Sequence, residues 1–183
     1  MVADDDKSQP NDAQDEEPAK ESGAGKRGRA SGRVFLVVVD NTEEMQVALR
    51  FASRRARNTG GRVALLYVIE PNDFQHFMAV GDLMREEARS EAEQVLQRMA
   101  ATVSELSGSV PILYVREGTR RDQLMELIEE EPQISILVLG AQTGQGGPGP
   151  LVSALTGKFM GRLRVPITVV PGNLSEDDID SIG

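Results

Sequence analysis

The sequence predicts an α/β fold, an open parallel five-stranded sheet with helices on both faces. Three observations lead there. Five short aliphatic runs rich in β-branched residues recur between residues 33 and 170, and they are continuous rather than alternating. A continuous apolar run is what a strand buried on both faces presents. Helix-like amphipathic segments separate the runs, and parallel neighbours require such crossovers.

The elements follow in order. "RVFLVVVD" (Arg33–Asp40) reads as the first strand. Thr42 is placed to cap a helix with Met45, Ala48, Leu49, Ala52 and Ala56 at helical spacing, and "NTGG" (Asn58–Gly61) stops it. "RVALLYVIE" (Arg62–Glu70) is the second strand, and a long helix follows with Met84, Ala88, Ala92, Val95, Leu96, Met99, Val103 and Leu106 on one stripe. "VPILYVRE" (Val110–Glu117) is the third strand, and Thr119 begins a short helix built on Leu124, Leu127 and Ile128. "ISILVLG" (Ile134–Gly140) is the fourth strand, Leu151–Leu163 a helix, and "PITVV" (Pro166–Val170) the fifth strand. Pro166 and Pro171 bound that last strand, which suits a sheet edge where missing donors are tolerated.

Outside the domain at 33–172 lie two charged segments. Residues 1–32 read as a disordered acidic tail ending in a basic collar of Lys26, Arg27 and Arg29, with Arg33 just beyond. Residues 173–183 read as an acidic C-terminal tail. The first 32 residues hold 8 acidic and 5 basic side chains and the last ten hold 4 acidic ones, so most of the net charge of −9 sits at the ends.

That charge, with a pI of about 4.7, argues against nucleic acid or an anionic membrane as partner. The chain has no cysteine, which removes disulfides, thiolate metal sites and cysteine nucleophiles. No apolar run approaches a membrane span and the amino terminus is acidic, so the expected location is cytoplasmic.

Ligands in doubly wound sheets bind beyond the carboxyl ends of the strands, where strand order reverses. The ends of strands one and four are the places to look. Strand one ends in Asp40, and strand four runs into "GAQTGQGGPGP" ahead of a helix. A glycine backbone approaches a phosphate closely, and a helix amino terminus favours an anion. Two readings stand open: a phosphate cradle facing a carboxylate, or a glycine loop without a ligand. "GQGGPG" (Gly144–Gly149) fits G-x-G-x-x-G, yet it follows the fourth strand and lacks an acidic residue about 20 positions on. "TGK" (Thr156–Lys158) fails as a P-loop, because Val152 stands where its first glycine belongs and Phe159 replaces the Ser or Thr. The sole histidine, His76, lies among Phe74, Phe77 and Met78 and reads as packing in a connecting segment. Arg120 and Arg121 read as a solvated helix start. No catalytic constellation or metal site is legible.

"VVVD", "VREG" with "RRDQLMELIEEEP", "ILVLG" and "VPITVVP" together make residues 33–171 resemble the universal stress protein family. The resemblance implies a flavodoxin-like, Rossmann-like αβ sandwich with strand order 3-2-1-4-5, cytoplasmic, homodimeric and linked to the stress response. Some members bind ATP, with turnover absent or slow, and Mg²⁺ enters only with the nucleotide. Asp40 matches the family's aspartate near adenine and ribose, and Val68 an adenine-packing position. The family's phosphate motif is G-x2-G-x9-G-[ST]. Begun at Gly140 it falls on Thr143, Ser153 and Ala154; begun at Gly144 it meets Gly147 and Gly157 but then Lys158. The first register keeps the loop on the strand end. The motif is therefore degraded, although Gly144, Gly146 and Gly147 still offer N–H groups and Ser153 a hydroxyl. The expected cofactor-binding set is Asp40, Val68, Gly140, Gly144, Gly146, Gly147 and Ser153.

Three functions follow as expectations: a regulatory protein responding to an adenine nucleotide, a nucleotide-independent dimeric adaptor acting on an unknown protein partner, or at most a slow ATPase. Dimerisation is expected through the last strand, Pro166–Val170.

Overall fold

The computed structural model of the chain describes Met1, residues 32–70 and residues 81–183. The amino-terminal tail and His76 lie outside that set. Five strands form one all-parallel sheet: β1 (Val34–Val38), β2 (Arg62–Ile69), β3 (Ile112–Glu117), β4 (Ile134–Ala141) and β5 (Ile167–Pro171). Their order is β3-β2-β1-β4-β5, so the chain builds outward from β1 on one side and then returns to build on the other.

All five residues of β1 are buried, because the strand faces two layers. Val34, Leu36 and Val38 point to the side covered by α3 (Arg120–Glu130) and α4 (Pro150–Thr156), where Leu124, Leu127, Ile128, Val152 and Leu155 meet them. Phe35 and Val37 point to the other side, covered by α1 (Glu43–Thr59) and α2 (Gly81–Ser107), against Met45, Ala48, Leu49, Leu96 and Val103. This period-2 split explains the continuous apolar run in the sequence. Each fully buried leucine here contributes about 1.5–3 kcal/mol of burial free energy.

The ends of α1 are set locally. Thr42 accepts a hydrogen bond from the Met45 N–H at 3.3 Å, and Gly60 closes the helix in the left-handed region at φ 65°. Two expected elements differ from the sequence reading. The helix expected over Leu151–Leu163 stops at Thr156; Gly157 leaves helical geometry at ψ −110°, and a separate 3-10 turn covers Met160–Arg162.

The second difference is at the carboxyl end. Residues 173–183 are acidic, but they do not form a free tail. Glu176–Ile182 is a helix, α5, opened by a reciprocal capping box between Ser175 and Asp178. Ile179 is buried, and Asp180 accepts hydrogen bonds from Arg50 and Arg54 of α1. Two of its acids, Glu176 and Asp180, pair with Arg50 and Arg54 of α1.

Candidate functional site

At the carboxyl end of β1 the chain must leave the sheet and enter α1, and Asp40 makes that turn. Its Oδ1 accepts from the Thr42 N–H at 3.0 Å and from the Thr42 hydroxyl at 2.6 Å. The carboxylate is thereby fixed through Oδ1, and Oδ2 takes neither bond from Thr42.

Across that groove stands the end of β4 and its loop. One cavity of about 180 Å³ is bordered by Val38, Asp40, Thr42, Glu44 and Met45 on one side and by Leu139, Gly140 and Pro148–Val152 on the other, with Arg120 closing it. This is the switch point of the sheet, where ligands bind in doubly wound folds. A second depression, about 280 Å³, shares Asp40, Thr42 and Met45 and runs toward α2. A larger surface groove, about 700 Å³, lies elsewhere, between α2 and the edge strand β3. It has no strand carboxyl end in its wall, and its Arg89 is already paired with Glu93 at 3.3 Å. Chemistry therefore favours the smaller cavity over the larger.

The expected site residues separate on inspection. Asp40 and Gly140 border the cavity together. Val68 is buried beneath α3 in the same sheet-face cluster as Val38 and Leu139, outside the cavity wall. Gly144 and Gly146 are exposed, Gly147 is half-buried, and Ser153 is exposed on α4; none of the four borders the cavity. Neither register of the phosphate motif is assembled there, since Gly157 lies past the end of α4. Gly140 itself has a packing role: a Cβ would lie 2.1 Å from the Glu44 carbonyl oxygen.

The donors in the α4 first turn are few. Pro150 has no N–H, and the Ser153 N–H is committed to the Gly149 carbonyl at 3.0 Å. Gly149 holds φ 96°, a conformation that favours glycine, and so turns the loop into the helix.

Arg120, which the sequence reads as part of a solvated helix start, borders the cavity instead. Gly118, at φ 138°, donates its N–H to the Ile69 carbonyl at 2.9 Å and so brings the start of α3 over the end of β2. Thr119 makes no side-chain cap; the Glu70 carboxylate accepts the Arg120 N–H instead, at 3.2 Å. The guanidinium then lies 3.4 Å from Glu70 Oε2 and 3.8 Å from Asp40 Oδ2. Its Nε–H is buried without an acceptor among the described residues. A usable signal existed: helical side chains lean toward the amino terminus, so a first-turn arginine overhangs the strand ends.

An all-parallel sheet in this order, with a carboxylate and a glycine bordering one cavity at its switch point, defines a doubly wound α/β protein with a cleft between β1 and β4. The chain matches the model of the universal stress protein family over residues 32–171 and belongs to that family. Among solved structures it is similar to a universal stress protein UspA from Lactobacillus plantarum, at TM-score 0.62 and 19% identity over 78% of this chain and 99% of that one. It is also similar to a universal stress protein in complex with cAMP, at TM-score 0.53 and 14% identity over 79% of this chain and 100% of that one. A family member from Arabidopsis thaliana with AMP bound gives TM-score 0.52 and 15% identity over 76% and 91% of the two chains. At these identities the likeness is one of fold. Comparison with curated proteins finds no match. No helix among the described residues is long and apolar enough to cross a membrane.

Proposed function

We propose that this universal stress protein is a stress-response regulator whose β1–β4 cleft takes the adenosine end of an adenine nucleotide. The observation that carries the reading is the cavity wall that Asp40 shares with Gly140 and with Pro148–Val152. That two family structures hold cAMP and AMP supports it. Asp40 Oδ2 would accept from ribose hydroxyls, and Val38, Leu139 and Met45 give apolar surface for a base.

Fit to the phosphates is narrower. Leu151 and Val152 keep N–H groups in the first turn of α4, and Arg120 is the cation on the wall. A monophosphate suits this donor set better than ATP with Mg²⁺. The cavity, about 180 Å³, is also below the roughly 300–1,000 Å³ of ordinary small-molecule sites. Binding therefore widens it.

Thermal unfolding with AMP, cAMP and ATP–Mg²⁺ tests the reading. At 100 times its dissociation constant a ligand stabilises the fold by about 2.7 kcal/mol, a rise of about 5–10 °C for a chain this long. Flat curves with all three contradict it.

The alternative is a nucleotide-independent dimeric adaptor. It is favoured by the edge of β5, which among the described residues pairs only with β4 and leaves Val169 38% exposed.

A further inference from the structure

Arg120 enters the cleft from α3, an element that contributes nothing else to its wall. Its contacts are loose. At 3.4 Å and 3.8 Å both ion pairs exceed good hydrogen-bond length, and the side chain keeps 34% of its surface exposed. Pairs of this kind hold weakly and are readily exchanged. One part of the guanidinium, Nε–H, is nevertheless buried and has no acceptor among the described residues, a state that a new acceptor would relieve. Its Nη1 lies 3.8 Å from Asp40 Oδ2, the oxygen that Thr42 leaves free and that a ribose hydroxyl would need.

Resting on the nucleotide reading of the cleft, we propose that Arg120 is an internal latch that makes the site selective for phosphorylated ligands over bare nucleosides. Without ligand the guanidinium occupies Asp40 Oδ2 and narrows the cavity. A nucleoside must displace it and offers no anion in return. A nucleotide displaces it and supplies phosphate oxygens to the freed Nη1 donor and to the unsatisfied Nε–H. The planar fork of arginine suits that exchange. The partner carboxylate Glu70 keeps the guanidinium near the cleft, since it also holds the Arg120 N–H at 3.2 Å.

Calorimetric titration of adenosine and AMP into wild type and R120Q tests this. Wild type is expected to prefer AMP, and R120Q to bind adenosine more tightly and AMP less tightly, lowering the AMP-to-adenosine affinity ratio by about tenfold, as expected for loss of a charged hydrogen bond. A second readout needs no variant: the Arg120 Nε–H resonance should shift when AMP binds. If both ligands bind wild type but the ratio is unchanged in R120Q, or the Nε–H signal stays still on AMP binding, the latch is wrong and the site survives. If neither ligand binds either protein, latch and site both fall.

Discussion

Gly140 sits where β4 passes the first turn of α1, and the missing side chain there is a matter of contact. A Cβ would fall 2.1 Å from the Glu44 carbonyl oxygen, a backbone atom with no freedom to swing away. Gly140→Ala should therefore cost about 1–3 kcal/mol, as other overpacked sites do. Gly144 has nothing within 4 Å of its would-be Cβ, so Gly144→Ala should stay within about 0.5 kcal/mol. Urea midpoints of the two variants check the contrast; equal losses would mean the loop is packed otherwise. The same scale separates what could be read in the sequence from what could not. The place of Asp40 beside the cavity was legible because it terminates a β-branched run at a strand end. Arg120 was not, because its importance comes from Asp40 and Glu70, 80 and 50 residues away, meeting it in space.

At the scale of elements, local signals read well and tertiary ones poorly. Thr42 and Gly60 bound α1 through contacts within a few residues, and both ends were legible. The end of α4 was not, since apolar residues continue past it while Gly157 turns the backbone away. Helix α5 was hidden by its acidity. Its capping box was a local signal, but its partners Arg50 and Arg54 lie far back in the chain. Hydrogen bonds from Arg54 and then Arg50 hold the Asp180 carboxyl at about 2, below its ordinary 3.8. A depressed carboxyl adds stability that is complete above the unfolded value and lost as pH falls through the folded one. Asp180→Asn should therefore flatten the acid loss of stability between about pH 4 and pH 2, and more so at low salt. Parallel urea midpoints for variant and wild type across that range would show that the contact carries no pH-dependent stability.

For the whole molecule, the strand order was legible through a family resemblance, while the all-parallel sheet followed from alternation alone. The central position of β1, buried on both faces, makes the β1–β4 boundary the switch point and puts the ligand question there. The opposite rim ends in β5, whose open ladder suits pairing with a second copy about a two-fold axis. Light scattering should find a dimer for wild type and a monomer for Val169→Lys; a monomeric wild type would remove both the dimer and the adaptor reading built on it. The site is the central claim, and amide chemical-shift mapping during titration with AMP tests it most directly. The account predicts that the largest shifts fall on Asp40, Thr42, Gly140, Gly149 and Val152. Shifts gathered at Leu113 and Val115 beside α2, or none at saturating AMP, would contradict it.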